Sequence, residues 1–112
     1  MSMSTAIDVK DLIRKAHAKD REYILDTLND RDLHELLAEE CSELAQASLK
    51  MIRASGCTHN VTPISFEKAR QKVIEEAGDV LMLLDALNIL PETTLDNSKW
   101  SRWRKRIEDA ML

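Results

Sequence analysis

Two long stretches of helical periodicity, from about Asp32 to Ser55 and from about Ile64 to Leu90, most constrain what this chain can fold into. In each, apolar residues recur three and four apart, the spacing that lines one face of an α-helix. Their ends carry the right punctuation. Asn29-Asp30-Arg31-Asp32 reads as a turn plus an N-cap, and Gly56 as the C′ stop of the first helix. Thr62-Pro63 reads as a cap followed by Pro at the first helical position of the second, which should stop before Pro91. Two Gly and two Pro in 112 residues leave little turn chemistry for strand hairpins. The expected fold class is therefore all-α, a helical bundle of four to five helices.

The shorter segments fit the same scheme. Ser4 or Thr5 can cap a first helix carrying Val9, Leu12, Ile13 and Ala16 at helical spacing. Tyr23, Ile24, Leu25 and Leu28 either continue it or form a short second piece. A last helix from about Thr94 carries Trp100, Trp103, Ile107 and Met111 on one side, read as core or subunit-contact residues rather than a base-stacking platform. Val80 to Leu90 is apolar nearly all round and is expected to be deeply buried, with Asp85 and Asn88 on a solvent or interface edge.

No composition shift or linker divides the chain, so residues 1–112 are expected to form a single domain. A net charge of −4 argues against nucleic acid as the main partner. There is no apolar run of transmembrane length, and Asp8, Lys10 and Asp11 in the first turns do not suit a signal peptide. No membrane partner is expected, and the cytoplasm is the default location. Cys41 and Cys57 do not make a disulfide framework, and Cys57-Thr58-His59 is too little for zinc.

The chemistry lies in two acidic signatures, Glu39-Glu40-Cys41-Ser42-Glu43 and Glu75-Glu76-Ala77-Gly78-Asp79, one in each long helix. At about 100° of rotation per residue, Glu40 falls within the apolar stripe formed by Leu33, Leu36, Ala47 and Met51, with Glu43 at its edge. Glu76 falls likewise among Ala69, Leu83 and Leu87, with Asp79 at the edge. Glu39 points toward the polar arc, and both it and Glu75 are read as exposed. A carboxylate in an apolar stripe costs several kcal/mol unless it is paired or binds a cation, and few basic residues are placed to neutralise these. The matched pairs point to a metal-binding pocket. Carboxylates without His or Cys favour Mg²⁺, or Mn²⁺, over zinc or copper. Lys50, two turns beyond Glu43 in nearly the same direction, and Arg53, one turn further, are candidate ligands for the outer phosphate oxygens of a Mg-bound polyphosphate.

At these residues the chain resembles the MazG-like all-α nucleoside triphosphate pyrophosphatases, relatives of the dimeric dUTP pyrophosphatases. The family signature is Glu-x-x-Glu on one helix and Glu-x-x-Asp on the next, here Glu40-Cys41-Ser42-Glu43 and Glu76-Ala77-Gly78-Asp79. The likeness spans roughly Leu36 to Leu90 and extends more weakly into the basic last helix. It implies that Glu40, Glu43, Glu76 and Asp79 bind Mg²⁺ and carry catalysis. It also implies hydrolysis of an NTP or dNTP between the α- and β-phosphates, giving the monophosphate and pyrophosphate. The chain departs from the pattern in a longer segment between the motifs, Cys57 to Pro63, and in Gly78, where relatives commonly have Ala; neither touches a ligand position.

Three readings compete with this one. The acids can be solvated helix faces with i,i+4 salt bridges. A ferritin-like di-iron or di-manganese bundle needs Glu-x-x-His on two helices, whereas Glu40, Glu43 and Glu76 are followed three residues on by Glu43, Gln46 and Asp79. A catalytically silent nucleotide-binding or oligomeric scaffold would keep the bundle without turnover. Helices of this length cannot enclose both Val80–Leu90 and the Trp face in one small monomer, so a homo-oligomer, dimer or tetramer, is expected, with the site near a subunit interface.

Overall fold

The computed structural model describes residues 9–60, 62–91 and 98–111. The expected cap at Ser4 or Thr5 and the start of the last helix at Thr94 lie outside them. Among the described residues the chain is all-α, with no strand. Five helices follow one another: α1 (Val9–Ala16), α2 (Ala18–Thr27), α3 (Asp30–Ala54), α4 (Phe66–Ala86) and α5 (Lys99–Ala110). The break between the first two falls at His17, whose backbone leaves the helical region at φ −122° and ψ 27°. Tyr23, Ile24 and Leu25 thus belong to a separate short helix.

α3 starts at Asp30, two residues before the expected Asp32, with Asn29 as its cap. The Asn29 side chain accepts the Asp32 N–H at 2.9 Å, and the Asn29 N–H donates to Asp32 Oδ2 at 3.1 Å. This reciprocal capping box satisfies donors that an open helix end leaves unpaired. Gly56, at φ +80°, takes the left-handed turn that ends the helix, and its N–H reaches back to the Arg53 carbonyl at 3.2 Å.

α4 is shorter at both ends than its periodicity suggests. Its cap is Ser65, not Thr62, because the Ser65 hydroxyl accepts the Lys68 N–H at 3.2 Å. At the other end Asn88 adopts φ 59°. Its N–H then bonds the Asp85 carbonyl at 3.0 Å, and the Ile89 N–H bonds that of Leu84 at 2.9 Å. This Schellman arrangement closes the helix before Pro91 is reached.

α3 and α4 pack against each other as the body of the molecule. They run antiparallel: Ala47 and Lys50, late in α3, share a cleft with Lys68, Ala69 and Lys72, early in α4. The buried apolar residues are Leu33 and Ala47 on α3 and Ala69 and Leu83 on α4. With Glu40 and Glu76 between them, these positions recur at seven-residue intervals on both helices, the repeat that keeps one seam facing a partner helix. Equal spacing carries Leu33 level with Leu83, Glu40 with Glu76, and Ala47 with Ala69. The middle rung of the seam is acidic.

Two expectations are corrected here. Val80–Leu90 is not deeply buried in the single chain: only Leu83 is, while Leu81, Met82 and Ile89 are exposed, Leu81 by 46%. α3 and α2 cover only part of the α4 circumference. Asp85 is not a solvent edge either, because Arg21 Nε of α2 donates to its Oδ2 at 3.1 Å. That ion pair holds α2 against the end of α4. α5 is exposed at every described position, Trp100 by 71%, and the Lys99 ammonium sits 5.1 Å from the centre of the Trp103 ring.

Candidate metal centre

The seam positions Glu40 in the middle of α3 and Glu76 in the middle of α4. Glu76 is only 5% exposed, and Glu40 is half-buried. Glu43, one turn beyond Glu40, is exposed at the mouth. Each of the three offers a carboxylate oxygen, and these oxygens all lie within 4.8 Å of one another. Asp79, the fourth expected ligand, is exposed and does not join this cluster, although its charge is felt by Glu40. Glu39 and Glu75 are exposed, as expected.

Three carboxyl groups this close cannot all be charged without cost. Glu40 carries the consequence. Its pKa is raised to about 7 by burial first, then by the charge of Glu43, to which a protonated Glu40 can donate, and by Asp79 and Glu76. Glu76 moves the other way despite deeper burial, because the Lys72 ammonium donates to its Oε1 at 3.0 Å and favours the charged form. The same hydrogen bond and the neighbouring Glu75, at 3.8 Å, raise the pKa of Lys72. One basic residue, Lys72, therefore neutralises one of the acids.

Lys72 leaves part of the cluster unsatisfied. Oε2 of Glu40 and Oε2 of Glu76 are both buried without a hydrogen-bond partner. Buried polar atoms are normally paired, and an orphaned one costs about 1–3 kcal/mol or more when charged. Two orphaned carboxylate oxygens on facing helices, with no nitrogen or sulfur in the set, suit a hard divalent cation such as Mg²⁺ or Mn²⁺. Glu40, Glu43 and Glu76 are the residues that would hold it.

Beside this cluster lies an open cleft of about 340 Å³, lined by Ala47 and Lys50 of α3, Ile64, and Lys68, Ala69, Gln71, Lys72 and Glu75 of α4. Lys50, a candidate phosphate ligand in the sequence, lines this cleft. Arg53 is half-buried one turn further along α3 and does not line the cleft. Lys68 and Lys72 were missed in the sequence. The signal for Lys72 was its place four residues before Glu76 on the same helix face. A second cavity, of about 250 Å³, lies between α2 and α4 around Arg21, Leu25 and Met82. Its lining includes none of the acidic cluster.

The arrangement places an acidic, oxygen-only cluster next to a cleft whose lining includes three lysines. It is chemically suited to an anion that arrives with, or is held by, a divalent ion. No described helix is long and apolar enough to cross a membrane. Compared with protein-family models, with curated proteins and with solved structures, the chain matches none of them.

Proposed function

We propose that this chain is a Mg²⁺-dependent nucleoside triphosphate pyrophosphohydrolase that converts an NTP or dNTP to the monophosphate and pyrophosphate. The observation that carries the reading is the pair of buried, unpartnered oxygens, on Glu40 and Glu76, within a three-carboxylate cluster. The likeness of Glu40-x-x-Glu43 and Glu76-x-x-Asp79 to the MazG-like signature gives the reaction class. When bound, Mg²⁺ supplies charge neutralisation on the phosphates and lowers the pKa of a water to make a nucleophile. The residues divide the remaining work. Glu40, Glu43 and Glu76 hold the ion between α3 and α4. Asp79, exposed and outside the cluster, would have to turn inward from the next turn of α4 to complete the ligand set. Lys50, with Lys68 and Lys72, offers cations to the outer phosphate oxygens, while Arg53 stands further back.

The same reading includes a homo-oligomer, dimer or tetramer, whose second copy covers the apolar faces left open on α4 and α5. The test of activity is pyrophosphate release from a broad panel of NTPs and dNTPs with Mg²⁺ or Mn²⁺. At least one substrate is expected to turn over. Glu40→Gln and Asp79→Asn should each lower the rate by about a hundredfold or more, since losing even a partner of a metal ligand costs about 10–100-fold, with helical circular dichroism unchanged. Nucleotide binding by calorimetry without product would instead favour a catalytically silent scaffold. No pyrophosphate from any substrate with either metal would defeat the enzyme reading.

A further inference from the structure

We infer that Lys72 is a tethered stand-in for the metal ion: its ammonium holds Glu76 in the metal-free protein and gives way to the cation, turning toward anions in the adjoining cleft. This rests on reading the three carboxylates as a cation site. Lys72 is placed for both roles. Its Nζ lies 3.0 Å from Glu76 Oε1 and 3.8 Å from Glu75 Oε2, and the same residue lines the 340 Å³ cleft with Lys50 and Lys68. The ammonium end is solvated, with a side chain 56% exposed, whereas that of Glu76 is 6% exposed. Lys72 can therefore swing away at little cost, and Glu76 cannot follow it.

The geometry makes the two cations rivals. Lys72 occupies one Glu76 oxygen, and the other is buried and unpartnered, within the three-carboxylate cluster. A divalent ion on that second oxygen would lie within a few ångströms of the ammonium, and like charges at that range repel appreciably even at a solvated site. Linkage is reciprocal: what the ion does to Lys72, Lys72 does to the ion. A departing ammonium finds Lys50 and Lys68 already lining the cleft, so three cations face any phosphate there. In this way metal entry would prepare the anion site, and Lys72 acts as a positioning residue for both ligands. A plain i,i+4 surface pair would do neither, being worth little and indifferent to the ion.

The experiment is a titration with Mn²⁺ alone, with free ion followed by electron paramagnetic resonance, on the wild type, Lys72→Gln, Lys72→Arg and Glu76→Gln. Melting curves are taken with and without the ion, and circular dichroism confirms the fold. Lys72→Gln is expected to bind Mn²⁺ about tenfold more tightly than wild type. It should also melt lower than wild type without metal and gain more on saturation. Lys72→Arg, which keeps the charge, should stay near wild type. Equal or weaker Mn²⁺ binding by Lys72→Gln, with wild-type binding intact and lost in Glu76→Gln, would overturn the role of Lys72 alone. A wild type that binds no Mn²⁺ at millimolar concentration would overturn the cation site itself, and this inference with it.

Discussion

Glu40 gives the cluster a dependence on pH that can be worked out in sign. Its folded pKa, about 7, stands above the ordinary carboxyl value of 4.5. The folded protein therefore binds a proton that the unfolded chain has released between those values. The stabilising contribution of Glu40 is complete below about 4.5 and is lost as pH rises through about 7. Glu76 acts oppositely: its lowered pKa contributes stability above the ordinary carboxyl value, lost only as pH falls through the folded pKa. For the metal-free protein, the window from 4.5 to 7 belongs to Glu40. In the proposed site the proton and the ion would compete for the same carboxylate. Mn²⁺ affinity should thus rise roughly tenfold from pH 6 to pH 8, and calorimetric titrations at the two values check this. Affinity flat across that range would mean that no proton on Glu40 competes with the ion there. Glu40 and Glu76 were legible in the sequence because rotation per residue alone puts them in the apolar stripe. Lys72 carried only a weaker signal, its place four residues before Glu76, because a side-chain torsion decides whether its long chain makes that contact.

Among the elements, the caps mark where local sequence was a sound guide and where it was not. Both ends of α3 were readable to within two residues: the Asn29-Asp30-Arg31-Asp32 run offered several caps, of which the structure uses Asn29, and Gly56 has no nearby competitor as the stop. α4 offered two caps, Thr62 and Ser65, and the structure uses the second because its hydroxyl meets the Lys68 N–H. Its C-terminal stop was hidden in Asn88, a residue that tolerates the left-handed turn without advertising it as Gly does. Two substitutions test these assignments by denaturant unfolding. Asn29→Ala should cost about 1 kcal/mol through loss of the capping box. Asn88→Gly, which removes a side chain from a backbone at φ 59°, should stabilise by up to about 1 kcal/mol. The α2–α4 clasp was invisible in the sequence, since Arg21 and Asp85 are far apart along the chain and only tertiary packing brings them together.

At the scale of the whole molecule, the all-α class was legible and the burial was not. Periodicity shows which face of a helix is apolar, not whether the same chain covers it. Leu49, Ile52, Ile74, Leu81 and Met82 on the central helices and Trp100 and Trp103 on α5 are all exposed, and so much open apolar surface is uncommon on a monomer. Size-exclusion chromatography with light scattering should therefore give a mass of at least twice 12.8 kDa. A stable monomer would contradict the oligomer proposed above. The acidic middle rung of the α3–α4 seam has a consequence of its own. The apolar rungs at either end clamp the hairpin shut, while mutual repulsion strains it at the waist. Bound between the arms, the proposed cation would relieve that repulsion and stiffen the join at its centre.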